Sequence, residues 1–202
     1  WQATIYGKGG HGAHPHATID PFVLLAHVIM GINSIISRRL DPFEPAVISI
    51  GAVNGGFTEN VIPDKVELKG TIRFTSLEIE KQIREELTRV FEIVKTLGGD
   101  YKLNILFGGM PIINDKFVAE TIAQVGNDLL GEGKVMPLHK TLGAEDFPEF
   151  LKDAPGAMYT LGTMIEGRPV YELHHPKFDL DERALPVGTA MLAETALRFL
   201  KA

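Results

Sequence analysis

Three histidines, His11, His14 and His16, crowd into the segment GKGGHGAHPH, and two more, His174 and His175, stand side by side in LHHPKFDLDE. Gly7, Gly9, Gly10 and Gly12 leave the backbone around His11 free to approach a ligand closely. A neutral imidazole can donate one hydrogen bond to a developing oxyanion, which suits acyl transfer. The same composition also suits a solvent loop in which the histidines are incidental. A metal site built on all three would need helical or strand spacing, which they lack. Neighbouring histidines rarely aim at one metal, so His174-His175 offers a single ligand at most. The acidic run behind them, Asp179, Asp181 and Glu182, fits equally a polar loop leading to a helix cap. Glu145-Asp146 could be ligands, a general base or the negative first turn of a helix. Arg73 offers a two-pronged donor to a carboxylate and Asn60 a neutral donor, though a solvated sheet face explains both.

The composition removes several classes of function. There is no cysteine, so disulfides, thiolate metal sites and a thiol nucleophile are out, and a reducing cytoplasm is the expected compartment. The net charge of −6, without a basic cluster, gives no reason to bind nucleic acid or an anionic membrane. No continuous apolar run reaches the ~18 residues of a membrane span. Phosphate-loop, dinucleotide-binding, GxSxG and HExxH signatures are all missing. The first residue is Trp1, already inside a strand-like run, so the chain is expected to be a fragment or a processed product.

The elements that must hold these residues follow from periodicity. Residues 1–6 read as a strand and 7–20 as a loop. Asp20 as N-cap and Pro21 at the first helical position start a helix, with Phe22, Leu25, Val28, Ile29, Ile32 and Ile36 on its apolar face and Arg38-Arg39 at its end. Residues 46–53 form an apolar strand. Val66, Leu68, Gly70, Ile72 and Phe74 alternate with polar neighbours in the clearest strand of the chain. Thr75 and Glu78 read as a capping box for a second helix. Its stripe is Ile79, Ile83, Leu87, Val90, Val94 and Leu97, and Gly98-Gly99 stops it. Tyr101, Leu103, Ile105 and Phe107 alternate as a last strand. The order βαββαβ predicts an α+β, ferredoxin-like domain over residues 1–110, with both helices on one face of an antiparallel sheet.

Residues 111–202 read differently. A helix is expected over 115–130, with Asp115 near its start and Phe117, Ile122, Val125 and Leu129 on its apolar side. A short helix should follow GAEDF, and residues 156–162 should make a buried strand. A final helix from Asp181 should bury Leu185, Leu192, Ala196 and Phe199. This is too little sheet for a self-standing domain, so partner strands are expected from outside the chain.

Six motifs in register then point to one family: GKGGHGAHPH followed by DP, SRRLDP, GGFTENVIPD, GTIR, GAEDF and HHPKFDLDE. Together they resemble the amidohydrolase branch of the aminoacylase/glutamate carboxypeptidase metallopeptidases. That branch includes hippurate hydrolases, hydrolases of auxin–amino acid conjugates and archaeal carboxypeptidases. The resemblance implies hydrolysis of the amide bond of N-acyl amino acids or peptides by metal-activated water. It implies one or two divalent ions, zinc above all, or manganese or cobalt, in each complete active site. Residues 1–110 would be the lid through which a homodimer forms, and 111–202 the C-terminal segment of an interrupted catalytic domain whose N-terminal part is absent here. By the same resemblance His11 is the catalytic lid histidine that steadies the oxyanion, often in the partner's site. Asn60 and Arg73 bind the substrate carboxylate, Gly143 and Ala144 line the pocket, and His174 is the last metal ligand. The other ligands and the general base have no counterpart, so the isolated chain is expected to be inactive. The competing expectation is a non-catalytic, ferredoxin-like module for dimerisation or small-ligand binding, which would leave GAEDF and HHPKFDLDE without a role.

Overall fold

The computed structural model describes residues 1–106, 108–138 and 141–201. It divides into two compact units, Trp1–Pro111 with Leu142–Asp146, and Ile112–Thr141 with Phe147–Ala202. The first unit opens with β1 (Gln2–Tyr6) and a two-residue strand, β2 (Gly10–His11), inside the glycine-rich loop. Helix α1 (Pro21–Arg38) follows, then β3 (Ala46–Gly55), the short β4 (Val61–Ile62) and β5 (Lys65–Phe74). Helix α2 (Leu77–Thr96) and β6 (Asp100–Asn104) complete it. Four strands form one antiparallel sheet in the order β3-β5-β1-β6, the ferredoxin-like arrangement. The segment expected to be all loop thus carries β2, which pairs with β4 through Gly10–Ile62 and His11–Val61.

Apolar stripes decide how the helices sit. Leu24, Leu25, Val28, Ile32 and Ile35 of α1 and Ile79, Ile83, Leu87, Phe91 and Val94 of α2 are buried together with Ala3, Ile5, Val66 and Leu68 of the sheet. Each of these side chains other than that of Ala3 contributes about 1.5–3 kcal/mol of transfer free energy. The stripe of α1 runs through Leu24 and Ile35, so Phe22, expected inside, is on the surface. In α2 the inner position is Phe91, one residue beyond Val90. Phe91 meets the rings of Trp1 and Tyr101 at 6.3 Å and 5.4 Å. By length and composition α1 could cross a bilayer, but here its stripe is buried in the core of this unit.

The helix ends have local causes. The Asp20 carboxylate accepts from the Phe22 amide at 2.8 Å. The cap of α2 is Ser76, not Thr75: its hydroxyl accepts from the Ile79 amide, so no capping box forms with Glu78. At the other end Gly98 adopts a φ of +88°, which favours glycine, and the amide of Gly99 returns to the Val94 carbonyl. Glu86, almost buried, joins the two helices by accepting from Arg39 of the α1 cap at 3.0 and 3.1 Å. Phe107, expected at the end of the last strand, lies outside the described residues.

The second unit is helical. Asp115 caps α3 (Lys116–Leu130), accepting from the Val118 amide at 3.0 Å. A 3-10 turn spans Phe147–Lys152, and α4 (Ala184–Lys201) ends the chain. Its buried apolar side chains are few: among the described residues Val125 and Met191 are the buried large ones. The stripe expected inside α4 is outside. Leu185 is 58% and Leu192 64% exposed, and Ala196 and Phe199 are exposed as well. On α3, Phe117 is 65% exposed and Leu129 is also on the surface. Residues 156–162, expected to be a buried strand, pair with no strand. The Asn114 side chain instead holds both main-chain groups of Met158, at 2.8 and 2.9 Å.

Candidate functional site

Sequence-distant residues meet in a cleft of about 180 Å³ in the first unit. Arg73 near the end of β5, Met110, and the segment carrying Gly143, Ala144 and Glu145 line it. Arg73 sits opposite Val47 in the β3–β5 ladder. Its guanidinium makes one weak hydrogen bond, to the Ile72 carbonyl at 3.3 Å, and among the described residues pairs with no carboxylate. Neighbouring Arg84 is committed, to Glu80 and to the Ile105 carbonyl. The Arg73 fork is left free to take two parallel hydrogen bonds in a cleft whose lining is otherwise apolar apart from Thr71, Glu80 and Glu145.

His11 and Asn60 form a second group. The Gly12 amide donates to the Asn60 carbonyl at 2.8 Å, continuing the β2–β4 pairing. The Asp64 side chain accepts from the Gly9 amide at 2.9 Å, and the Gly7 amide donates to the Asp64 carbonyl at 2.8 Å. The His11 ring is exposed. Its Nδ1 accepts from the Ala13 amide at 3.0 Å, and it lies 5.3 Å from the His14 ring. The Asn60 side-chain carbonyl accepts from Thr58 at 3.3 Å. This group stands beside the Lys65 end of β5, whereas Arg73 stands near the Phe74 end. Ten residues of strand at ~3.3 Å each put about 30 Å between those ends. One copy of the chain therefore brings Arg73, Gly143 and Ala144 together and keeps His11 and Asn60 apart from them.

In the second unit the paired histidines differ. His175 stacks on Tyr171 at 4.6 Å, and its Nδ1 accepts from the Lys177 amide at 3.0 Å. His174 is exposed and holds a φ of +70°. A non-glycine residue in that region costs on the order of 1 kcal/mol, and such strain gathers at functional positions. The nearby acids are engaged elsewhere: Asp179 pairs with Arg168 at 3.0 Å. Asp181 pairs with Arg183, whose side-chain and backbone hydrogen bonds hold the carboxyl at about 2. Among the described residues no three His, Asp or Glu side chains converge as a metal site. A lone imidazole falls short of the three or four ligands a divalent ion takes. The described residues of this chain do not by themselves make a complete site for a resident metal.

A family profile described as a peptidase dimerisation domain matches residues 1–95. The chain is 32% identical over its whole length to IAA-amino acid hydrolase ILR1-like 2 of Arabidopsis thaliana, covering 46% of that protein. It is 33% identical, over 98% of its length, to thermostable carboxypeptidase 2 of Saccharolobus solfataricus, covering 51% of it. Among solved structures, a dinuclear metal-binding peptidase of the M20 family from Bacillus subtilis superposes with a TM-score of 0.76. The identity there is 28%, over 99% of this chain and 49% of that one. The chain spans about half the length of the curated relatives it matches.

Proposed function

Because residues 1–95 belong to the M20 peptidase dimerisation domains and the chain aligns with one half of hydrolases of that family, we propose that it is the lid and C-terminal segment of a metal-dependent amidohydrolase or carboxypeptidase. Its substrate is an N-acyl amino acid or a peptide. The carrying observation is the cleft in which Arg73 meets Gly143 and Ala144. There the guanidinium takes the substrate carboxylate by two parallel hydrogen bonds, and the glycine lets the chain pass close to it. His11 is some 30 Å of strand away, farther than such a substrate reaches. It therefore serves the site of a second copy, donating to the carbonyl oxygen as negative charge develops there. His174 is the ligand this chain lends to a divalent ion, zinc, manganese or cobalt, whose other ligands lie in the half present in relatives. Support for choosing His174 over His175 comes from the hydrogen bond and stack that already occupy His175. The cytoplasm is the compartment that a chain without cysteine fits best.

The homodimer proposed here joins through β3. Residues Ala46–Gly55 carry no charged side chain, and β3 is an edge of the sheet. An unguarded edge of ten residues is a template for strand pairing. Beside it, Val23, Ala26 and Met30 leave an uncharged, exposed stripe on α1.

The test joins this chain to the other half found in relatives and supplies zinc, manganese or cobalt. Hydrolysis of N-acetyl amino acids is expected from the joined polypeptide and none from the 202-residue chain alone. His11→Ala and Arg73→Met joined variants should each be inactive, yet regain roughly a quarter of the activity when subunits are exchanged at random. Half of the dimers are then mixed, each with one intact site of two. No recovery in mixed dimers overturns action in trans, and no hydrolysis with any of the three metals overturns the enzyme reading.

A further inference from the structure

We infer that the main-chain amide of Ala13 is a positioning group for His11, fixing its ring as the Nε2–H tautomer and committing it to donate a hydrogen bond. The inference rests on the proposed role of His11 only for its functional meaning; the geometry stands by itself. The Ala13 N–H donates to His11 Nδ1 at 3.0 Å. A ring nitrogen that accepts carries no proton, so the proton of the neutral ring is on Nε2.

The backbone prepares this bond from both sides. His11 is fixed by its pairing with Val61, and the next amide, Gly12, donates to the Asn60 carbonyl at 2.8 Å. The His14 amide then returns to the His11 carbonyl at 2.8 Å. This tight turn encloses Ala13 and brings its N–H back over the ring that opens the turn. The same device recurs at the other histidine cluster, where the Lys177 amide donates to His175 Nδ1 at 3.0 Å, again two residues along. It is not a general habit of the loop: among the described residues no hydrogen bond is made by the rings of His14 or His16. Those rings touch their neighbours only edge-on, at 5.3 and 6.1 Å.

The chemical consequence is a choice between two roles open to any histidine. With Nδ1 engaged by Ala13 and Nε2 protonated, the ring has no free lone pair with which to take a proton from water. It has one directed N–H for an acceptor oxygen, whether an amide carbonyl or the oxyanion that forms from it. Ala13 thus decides that His11 is a donor and not a general base, although its own side chain touches nothing reactive.

The experiment is nitrogen NMR of the histidine rings in the intact 202-residue chain. The expected result is a scalar coupling across the hydrogen bond between the Ala13 amide nitrogen and His11 Nδ1, with ring shifts of a single Nε2–H tautomer. His14, in the same sample, should show no such coupling and averaged ring shifts. Ala13→Gly retains the N–H and should retain the coupling. Ala13→Pro removes the donor and should release His11 to the averaged pattern of His14. A wild-type His11 without coupling and with averaged shifts overturns the inference, as does an Ala13→Pro spectrum with the His11 ring unchanged. No hydrolysis is measured, so an inactive joined enzyme would refute the proposed function and leave this result untouched.

Discussion

Replacing Gly7 by alanine should loosen the loop that carries His11, by an amount set by what surrounds Gly7. A Cβ on Gly7 would lie 2.0 Å from the Ile19 carbonyl oxygen and 3.0 Å from Pro21 Cδ. Ordinary contact begins at 3.4 Å, so the carbonyl must retreat by 3.4 − 2.0 = 1.4 Å. That oxygen is not free to move. It accepts from the Lys8 amide at 2.8 Å, while the Ile19 amide donates back to Lys8 at 2.9 Å. Losing this pair costs about 0.5–1.5 kcal/mol per bond. The total of ~1–3 kcal/mol matches the usual cost of overpacking. At ~2–4 °C per kcal/mol for a chain of this size, Tm should fall by roughly 2–12 °C. Gly162→Ala is the control, since nothing lies within 4 Å of its Cβ, and it should stay within about 0.5 kcal/mol of the parent. Thermal unfolding followed by circular dichroism reads the first effect. Amide shifts of residues 8–13 in a nitrogen–proton spectrum read the loop. If Gly7→Ala melts with Gly162→Ala and leaves those amides in place, the steric argument is wrong.

Two further outcomes are expected. The Tyr101 phenol, pushed up to about 12 by burial and then by its 2.6 Å hydrogen bond to Glu92, should stay neutral well beyond the ordinary tyrosine range. Because the folded value is raised, its contribution is complete below the unfolded value of about 10 and is lost as pH rises through about 12. The ultraviolet absorbance of tyrosinate, which should appear near 12 for one of four tyrosines, checks this, and ionisation of all four near 10 would contradict it. The second concerns assembly. Val47→Lys with Val53→Lys places lysines along the β3 edge, where a two-fold pairing brings like charges to ~5 Å, about 0.8 kcal/mol per pair in water. Two symmetric pairs should weaken the dimer by roughly tenfold in sedimentation equilibrium, and an unchanged dissociation constant would move the interface elsewhere.

How much of this was legible in the sequence depended on what periodicity can carry. The alternation of Val66 to Phe74 and the Asp20-Pro21 start stated their elements outright, and the strand order followed from βαββαβ. Strands β2 and β4 are two residues each, too short to have a period, and only their hydrogen bonds reveal them. Ser76 and Thr75 are both good caps, so spacing alone could not choose between them. Periodicity announces that a face wants cover, not what supplies it. Leu185 and Leu192 of α4 were therefore expected inside and stand outside in this chain. The meeting of Arg73 with Gly143 and Ala144 across seventy residues of sequence needs the fold, and only the family resemblance anticipated it. The commitment of His175 to Tyr171 and Lys177 had no sequence signal at all.

The two borders of the sheet are unequal. One, β3, is ten residues long and uncharged; the other, β6, is five residues long and bears Asp100 and Lys102. A ribbon with two adhesive borders would recruit copy after copy into a fibre. In the proposed dimer one adhesive border and one guarded border would make sheet growth self-terminating: the first encounter would consume the β3 rim, and the paired sheet would present its two charged, short rims to a later strand. If two copies pair through β3 as proposed, the same inequality would keep a third away.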